Sequence, residues 1–125
     1  MVTTVTLGRR PVIADFLAAR QMVGVLRQAQ ARGQATTLAY VLMPDHLHWL
    51  MQLGEGQDLS ACVQRIKSIS ARQHGTPLWD KGFHDHAVRA EEDLANLARY
   101  IVLNPVRAGL VSRTGLYPHW DAVWV

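Results

Sequence analysis

Cysteine is almost absent from this chain, since Cys62 is the only one in 125 residues. A single cysteine excludes an intrachain disulfide and is typical of proteins that work in a reducing compartment. It stands between Ala61 and Val63 at helical spacing, so we interpret it as part of the core. The length and a hydrophobic content of 49% predict a single domain over residues 1–125 that buries a core without disulfides.

Long apolar runs are missing as well. No apolar stretch approaches the roughly 18 residues that a membrane-spanning helix needs. Thr3, Thr4 and Thr6 stand where a signal peptide would require an apolar run. We therefore expect a cytoplasmic protein that does not contact a membrane.

Lysine is scarce although the chain is basic. Of the 13 cationic side chains only Lys67 and Lys81 are lysines, and the net charge is +3 with a pI near 9.5. Arginine makes forked contacts to phosphate that lysine cannot make, so this balance favours a nucleic-acid partner. Many proteins that bind no nucleic acid share such a composition, so the charge alone leaves the partner open.

The order of apolar patterns predicts the fold class. The predicted elements are a strand at residues 2–7, a helix from Asp15 to Gly33, strands at residues 36–43 and 46–53, a helix from Asp58 to residue 74, a short strand at residues 83–89 and a helix from residue 91 to Asn104-Pro105. The order β-α-β-β-α-β-α indicates an α+β fold, a ferredoxin-like split βαβ antiparallel sheet with helices packed on it. The tail from Gly115 is predicted to be packed loop.

The pair His46 and His48 is the sharpest chemical feature. Side chains two apart on a strand point the same way, and their Cα atoms are then about 6.6 Å apart. Both imidazoles can therefore reach one metal ion, while Leu47 and Trp49 face a covering helix layer. The alternative is that both are polar strand histidines facing solvent, and an isolated pair of this kind favours that alternative.

A second pair stands near the end of the last predicted helix. Tyr100 and Asn104 are four residues apart, which places them on one helix face one turn apart. If that face lies over the sheet, a hydroxyl nucleophile and an amide oxygen approach the histidine pair. The alternative is that Tyr100 is a core aromatic and Asn104 caps the helix before Pro105. Spacing alone does not separate the two interpretations.

The remaining histidines are interpreted as structural. His84 and His86 repeat the spacing of the first pair, but the charged Asp85 between them does not suit a buried face beneath a metal. We predict that they are polar residues at a strand edge. His74 and His119 have no partner at ligand spacing and are predicted to lie on the surface.

The surroundings of these residues resemble a known family. Residues 40–48 (YVLMPDHLH) are similar to the strand of HUH transposases, in which U is a hydrophobic residue, and residues 100–110 (YIVLNPVRAGL) are similar to their nucleophile helix. The segment from Phe83 to Leu94 is similar to the stretch that leads into that helix. The resemblance is greatest to REP-associated tyrosine transposases, and it covers nearly the whole chain.

The resemblance implies a site and a reaction. His46 and His48 are then metal ligands, Asn104 is the third ligand, and Tyr100 is the nucleophile on a C-terminal helix. The implied enzyme uses Mg²⁺ or Mn²⁺ to cut and rejoin single-stranded or hairpin DNA through a covalent 5′-phosphotyrosine. Such enzymes occur as monomers or as homodimers, and the sequence leaves both open.

Cations on the second long helix supply candidate DNA contacts. Arg65, Lys67 and Arg72 lie on its polar faces, where we predict phosphate binding, with a solvated helix face as the equal alternative. Three other functions remain open. They are a non-catalytic single-stranded nucleic-acid-binding module, a transposase-derived domain that binds but no longer cuts, and a hydrolase that activates water. The hydrolase would need a general base, and Asp45 is expected on the wrong face of the strand for that role.

Overall fold

The computed structural model describes residues 1–88 and 91–122. Its strands are β1 (Val2–Val5), β2 (Ala35–Met43), β3 (His46–Leu53), β4 (His84–Asp85) and β5 (Trp120–Ala122). Its α-helices are α1 (Phe16–Ala31), α2 (Leu59–His74), α3 (Glu91–Val102) and α4 (Asn104–Arg107). Among the described residues no helix has both the length and the apolar character needed to cross a membrane.

The described strands form one antiparallel sheet in the order β4-β1-β3-β2-β5. The strands β1 and β3 are central neighbours, which is the arrangement that a split βαβ unit produces. The predicted α+β fold is therefore confirmed. The tail is predicted to be loop, but Trp120 to Ala122 form the strand β5, which pairs with the edge of β2.

The two long helices begin where the sequence predicts, because carboxylates cap them. Asp15 accepts from the amide of Ala18 and Asp58 accepts from the amide of Ala61, each at 2.9 Å. The helix α2 ends at Gly75, whose φ of 88° lies in the left-handed region that glycine adopts without strain.

One face of the sheet is covered by α1 and α2. The strand β3 sends Leu47 and Trp49 to this face, where both are fully buried in one cluster with Leu26 of α1 and Ile66 of α2. The indole nitrogen of Trp49 donates to the hydroxyl of Thr37 at 2.9 Å, so the buried ring keeps a polar partner. This face is the structural core that the apolar residues of β3 predict.

The other face is covered by α3. Ala98 and Ile101 of α3 are buried in a second cluster with Val41 of β2 and Leu50 of β3. Because side chains alternate along a strand, His48 lies on the same face as Leu50. The sheet therefore separates the structural core from the face that carries the two histidines.

The last helix is interrupted where the sequence predicts a continuous one. The helix α3 ends at Val102, and Asn104 is the first residue of α4. Pro105 has no N–H to donate to the carbonyl of Ile101, and its ring crowds that carbonyl, so one regular helix cannot run through it. Tyr100 and Asn104 consequently stand on consecutive helices, and the prediction that they share one helix is wrong.

Two strand boundaries also differ from prediction. The strand β1 ends at Val5, because residues 7–9 form a tight turn with φ of 61° at Gly8 and 51° at Arg9. The predicted strand at residues 83–89 is reduced to His84–Asp85, and its end at Arg89 lies outside the described residues.

Candidate active site

His46 and His48 lie side by side on the α3 face of the sheet. Their ring centroids are 4.7 Å apart and the rings are nearly perpendicular, at 81°. Both rings are partly buried, which limits their motion without closing them to solvent. The predicted convergence of the pair on one face is confirmed.

The Nδ1 atom of His46 is engaged by Asp45. The carboxylate oxygen of Asp45 lies 2.7 Å from this nitrogen, and the other oxygen of the same carboxylate accepts from Arg9 at 3.2 Å. Burial alone would raise the pKa of Asp45, but its bonds and charge interactions with His46 and Arg9 together hold that pKa below its ordinary value. The expectation that Asp45 faces away from the site is wrong, because its position in the turn before β3 lets its side chain fold back onto the adjacent ring.

The Nδ1 atom of His48 is engaged by Thr3. These residues are directly opposite each other in the β1–β3 pairing, and the hydroxyl of Thr3 lies 2.9 Å from the ring nitrogen. Burial, together with the charges of His46 and Arg107, lowers the pKa of His48 from 6.5 to about 4. The ring of His48 is therefore neutral at physiological pH.

This arrangement fits a divalent cation at the Nε2 atoms. A metal-binding histidine usually engages its second ring nitrogen with a protein group, which fixes the ring and its tautomer. The carboxylate of Asp45 only accepts, so it can fix both the ring and the tautomer of His46. The hydroxyl of Thr3 can donate or accept, so it orients the ring of His48 without choosing its tautomer. The described residues contain no cluster of three or more His, Cys, Asp or Glu side chains, so any third protein ligand would come from another residue type.

Tyr100 is exposed on α3, with 58% of its surface accessible. Within the described part of the chain its hydroxyl forms no hydrogen bond, so the oxygen is available to an incoming substrate. The neighbouring Ile101 is fully buried against the sheet, which anchors this turn of α3 on the histidine face. The alternative of Tyr100 as a core aromatic is wrong.

Asn104 begins α4 and is partly buried. Its side-chain oxygen accepts a hydrogen bond from Nη2 of Arg107, and the same nitrogen donates to the backbone carbonyl of Tyr100. The guanidinium carbon of Arg107 lies 3.9 Å from the centroid of the Tyr100 ring. Arg107 therefore links Tyr100 and Asn104, and its charge also acts on His48.

The three predicted DNA contacts lie in another part of the molecule. Arg65, Lys67 and Arg72 belong to α2, which packs on the sheet face opposite the histidine pair. Lys67 is also buried, at 6% exposure, and its ammonium donates to the carbonyls of Asp80 and Gly82, each at 2.7 Å. The prediction of an exposed Lys67 is wrong, because its side chain is hydrogen-bonded to the loop at residues 80–82.

The other histidines follow the prediction in part. His84 and His86 are exposed at the β4 edge, as expected. His119 is buried at 6% exposure, so the prediction that it lies on the surface is wrong. Its ring packs against Phe16 and Tyr117, with centroids 5.6 and 5.5 Å away.

Sequence reasoning missed three supporting residues. Asp45 is adjacent to His46, and Arg107 follows Asn104 by three residues, so both could be recognised by local spacing once the turn geometry is considered. Thr3 could not be recognised in this way, because its contact with His48 depends on the register between β1 and β3.

Known proteins share this sequence pattern. The family described as "Transposase IS200 like" matches residues 2–103, a span that includes His46, His48 and Tyr100. A Haemophilus influenzae protein named as a REP-associated tyrosine transposase is 32% identical over 66% of this chain and 56% of its own length. The REP-associated tyrosine transposase of Escherichia coli K12 is 33% identical over 64% of this chain and 50% of its own length. The chain thus spans about half the length of the curated relatives that it matches.

Solved structures share the fold. The structure of a REP-associated tyrosine transposase bound to a REP hairpin matches 95% of this chain and 73% of its own, with a TM-score of 0.77 and 26% identity. A Deinococcus radiodurans crystal structure named for a transposase matches 80% of this chain and 85% of its own, with a TM-score of 0.61 and 22% identity. Because the family match spans most of the chain and includes the histidine pair and Tyr100, the chain belongs to the IS200-like transposase family.

Proposed function

We propose that this chain cuts and rejoins single-stranded DNA through a covalent 5′-phosphotyrosine at Tyr100. The observation that carries the proposal is the pairing of His46 and His48 on one sheet face, each with its Nδ1 engaged, beneath the helix that presents the exposed Tyr100. A solvated polar pair on a strand would not require two separate groups to orient its rings.

The reaction follows from the chemistry of the tyrosine. The Tyr100 oxygen attacks the phosphorus, the bond from phosphorus to the 3′ oxygen breaks, the leaving 3′ oxygen takes up a proton, and the phenol proton passes to solvent. The phosphotyrosine ester keeps the energy of the broken bond, so a DNA 3′-hydroxyl can reverse the step and rejoin the strand. A phenol with an ordinary pKa near 10 is a weak nucleophile at neutral pH, so the phosphate must be activated.

A divalent cation, Mg²⁺ or Mn²⁺, would supply that activation when bound, by stabilising negative charge on the phosphate oxygens. His46 and His48 would hold it through their Nε2 atoms, and the amide oxygen of Asn104 would add a third protein ligand once Arg107 released it. Two nitrogens and one oxygen leave coordination positions for substrate oxygens, which suits hard cations of this class.

The proposed substrate is a DNA hairpin with a single-stranded flank. A related structure contains a REP hairpin, and we extend that substrate class to this chain. Single strands can bend into a small site and stack their bases, which a duplex cannot do. Arg65 and Arg72 remain candidates for contacts away from the cut, on the α2 side of the protein. The protein would act at the nucleoid, as a monomer or a homodimer.

One observation favours a second candidate, a transposase-derived domain that binds single-stranded DNA without cutting it. The oxygen of Asn104 accepts from Arg107, so the third ligand is occupied by a protein donor. A binder would keep affinity for hairpins but would form no covalent product.

A labelling experiment separates the two functions. Hairpin oligonucleotides from the flanks of the gene, labelled at either end, are incubated with the protein and Mn²⁺ or with EDTA and run on a denaturing gel. Cleavage through Tyr100 predicts that the 3′-end label shifts to the mass of a protein–DNA adduct, while the 5′-end label appears in a shorter free strand. No adduct with Mn²⁺, despite hairpin binding, would favour the binding domain.

A further inference from the structure

Arg107 contacts both Tyr100 and Asn104. Its guanidinium lies over the ring of Tyr100 at 3.9 Å, and its Nη2 atom donates to the Tyr100 carbonyl and the Asn104 side-chain oxygen. Its charge is among the causes that lower the pKa of His48. One side chain therefore contacts the predicted nucleophile and the predicted third ligand, and its charge acts on His48.

Arg107 also retains unused capacity to bind an anion. A guanidinium has five N–H donors in a planar fork, and the contacts above use those of Nη2 alone. Its Nη1 and Nε atoms have no acceptor among the side chains and backbone groups that the structure describes. No described carboxylate pairs with it, and it is exposed. An exposed, unpaired guanidinium with free fork donors matches the geometry of a phosphate group.

We propose, building on the proposed function, that Arg107 is a further residue of the site that binds the DNA phosphate attacked by Tyr100. Stacking on the Tyr100 ring keeps the guanidinium beside the nucleophile. Because Arg107 is exposed, a DNA strand can approach its remaining N–H donors. The bond to Asn104 then gives Arg107 two alternative acceptors, the amide oxygen before DNA binds and a phosphate oxygen afterwards. Binding of the strand would in this way release Asn104.

The alternative is a purely structural role, in which Arg107 only fastens α4 to the last turn of α3. The two roles differ in their response to the charge of a single phosphate. A structural Arg107 affects all oligonucleotides equally, whereas a phosphate-binding Arg107 responds to one linkage. The test therefore varies the DNA and the protein together.

The experiment measures hairpin affinity in EDTA, so that no metal ion contacts the phosphate, and in the Tyr100→Phe background, which prevents cleavage. Each oligonucleotide carries one uncharged methylphosphonate linkage, moved stepwise along the single-stranded flank. Neutralising a phosphate removes its charge-assisted hydrogen bond. At the linkage that Arg107 binds, hairpin affinity should therefore fall by about tenfold or more. When Arg107→Gln is added, the same neutralisation should weaken binding by less than about twofold.

Arg99→Gln is the matched control, because Arg99 is an exposed cation of α3 whose side chain donates to Asn96. In Arg99→Gln, neutralising the sensitive phosphate should weaken hairpin binding as much as it does in the parent protein. Arg107→Lys keeps the positive charge but not the planar fork of donors. In this variant the methylphosphonate should weaken hairpin binding by only a few-fold, and the comparison remains available if Arg107→Gln folds poorly. An equal loss with and without the Arg107 changes, or no sensitive linkage in the parent protein, would overturn the assignment.

The outcome is separable from that of the proposed function. If the wild-type protein forms no covalent adduct but the Arg107-dependent linkage is present, the cleavage proposal fails and the phosphate contact stands. If the adduct forms but no linkage depends on Arg107, cleavage stands and the phosphate contact is wrong.

Discussion

The carboxylate of Asp45 lies 2.7 Å from Nδ1 of His46, in the turn that leads into β3. Because the carboxylate only accepts, Nδ1 is the donor in this contact, and Nε2 is the ring nitrogen left for a metal ion. Thr3 engages the same nitrogen of His48 from β1. The two rings are thus fixed by different elements, one by a local turn and one by a neighbouring strand.

Replacing Asp45 by Asn should weaken metal binding while leaving the fold intact. The amide carries no charge and does not enforce the same tautomer, so we expect the affinity for Mn²⁺ to fall about 10- to 100-fold. Titration of Mn²⁺ followed by isothermal calorimetry measures this change. Asp121→Asn, at an exposed position of β5, is the control and should bind Mn²⁺ like the wild type. Unchanged affinity in Asp45→Asn would show that Asp45 does not support the metal site.

The lowered pKa of His48 predicts a pH dependence of the metal-free protein. Its pKa is about 4 when folded against 6.5 for an ordinary histidine, so between these values the unfolded chain binds more protons. The free energy of unfolding should therefore fall as the pH drops from 6.5 towards 4. Above pH 6.5 this group should add no pH dependence. Thermal unfolding across this range measures the effect.

The matched variants for this prediction are His48→Gln and His84→Gln. The first removes the partly buried ring and should reduce the loss of stability between pH 6.5 and about 4. A smaller loss should remain, because burial also lowers the pKa of His119. The second changes an exposed ring at the β4 edge and should leave the pH dependence unaltered. An identical pH profile in His48→Gln and the wild type would contradict the assignment.

The fold was predictable from sequence because its elements carry local signals. Asp15 and Asp58 marked the starts of α1 and α2, and the alternation around Leu47 and Trp49 marked the buried face of β3. The interruption at Leu103 was foreseeable in principle, since a proline two residues later removes a helical donor. Element order and local chemistry were sufficient for the fold class but not for β5, whose residues were predicted as loop and pair with β2.

The site was predictable only where its residues follow one another in sequence. His46 and His48 are two apart on a strand, so their shared face is a matter of periodicity. Lys67 was misplaced because an exposed polar face and a buried ammonium bound to carbonyls give the same sequence pattern. The contact of Thr3 with His48 spans 45 residues and needs the strand register, which no local pattern encodes.

Replacing glycine by alanine is predicted to change the stability in opposite directions at Gly54 and at Gly24. A Cβ at Gly54 would stand 2.0 Å from the carbonyl oxygen of Gly33, so Gly54→Ala requires the backbone to move and should destabilise the protein. A Cβ at Gly24, on the exposed side of α1, would meet nothing within 4 Å. Gly24→Ala should stabilise the helix by about 0.5–1 kcal/mol. Urea unfolding of both variants measures the difference, and equal stabilities would contradict the close approach at Gly54.

DNA binding should depend on strandedness and on salt. Phosphate contacts release counterions, so affinity for a hairpin with a single-stranded flank should fall steeply between about 50 and 200 mM salt. A plain duplex of the same sequence should bind more weakly, because its bases are not free to stack in the site. Fluorescence anisotropy with labelled oligonucleotides measures both. Equal affinity for duplex and hairpin, or no salt dependence, would count against a single-stranded substrate.

The nucleophile is tested by Tyr100→Phe, which removes one oxygen and keeps the ring. Because the Tyr100 hydroxyl bonds to none of the described residues, the change should cost little stability, and the ring remains beneath Arg107. If the hydroxyl attacks the phosphate, the variant should form no covalent adduct while its hairpin affinity stays within a few-fold of wild type. Denaturing gels and anisotropy measure the two quantities on the same preparation.

Tyr40 and Tyr117 are the internal controls for that assignment. Tyr40 is buried at 8% exposure in the cluster on the α1 and α2 side of the sheet, and the hydroxyl of Tyr117 donates to the carbonyl of Leu42 at 2.5 Å. Tyr40 thus lies on the sheet face opposite the histidine pair, and the Tyr117 oxygen is already bonded to the protein. Tyr40→Phe and Tyr117→Phe should therefore keep the adduct as long as they fold. His46→Ala and His48→Ala should also form no adduct, but for a different reason, because without the metal ligands the phosphate is no longer activated. An adduct that survives Tyr100→Phe, or one that disappears in a folded Tyr40→Phe or Tyr117→Phe protein, would place the nucleophile elsewhere.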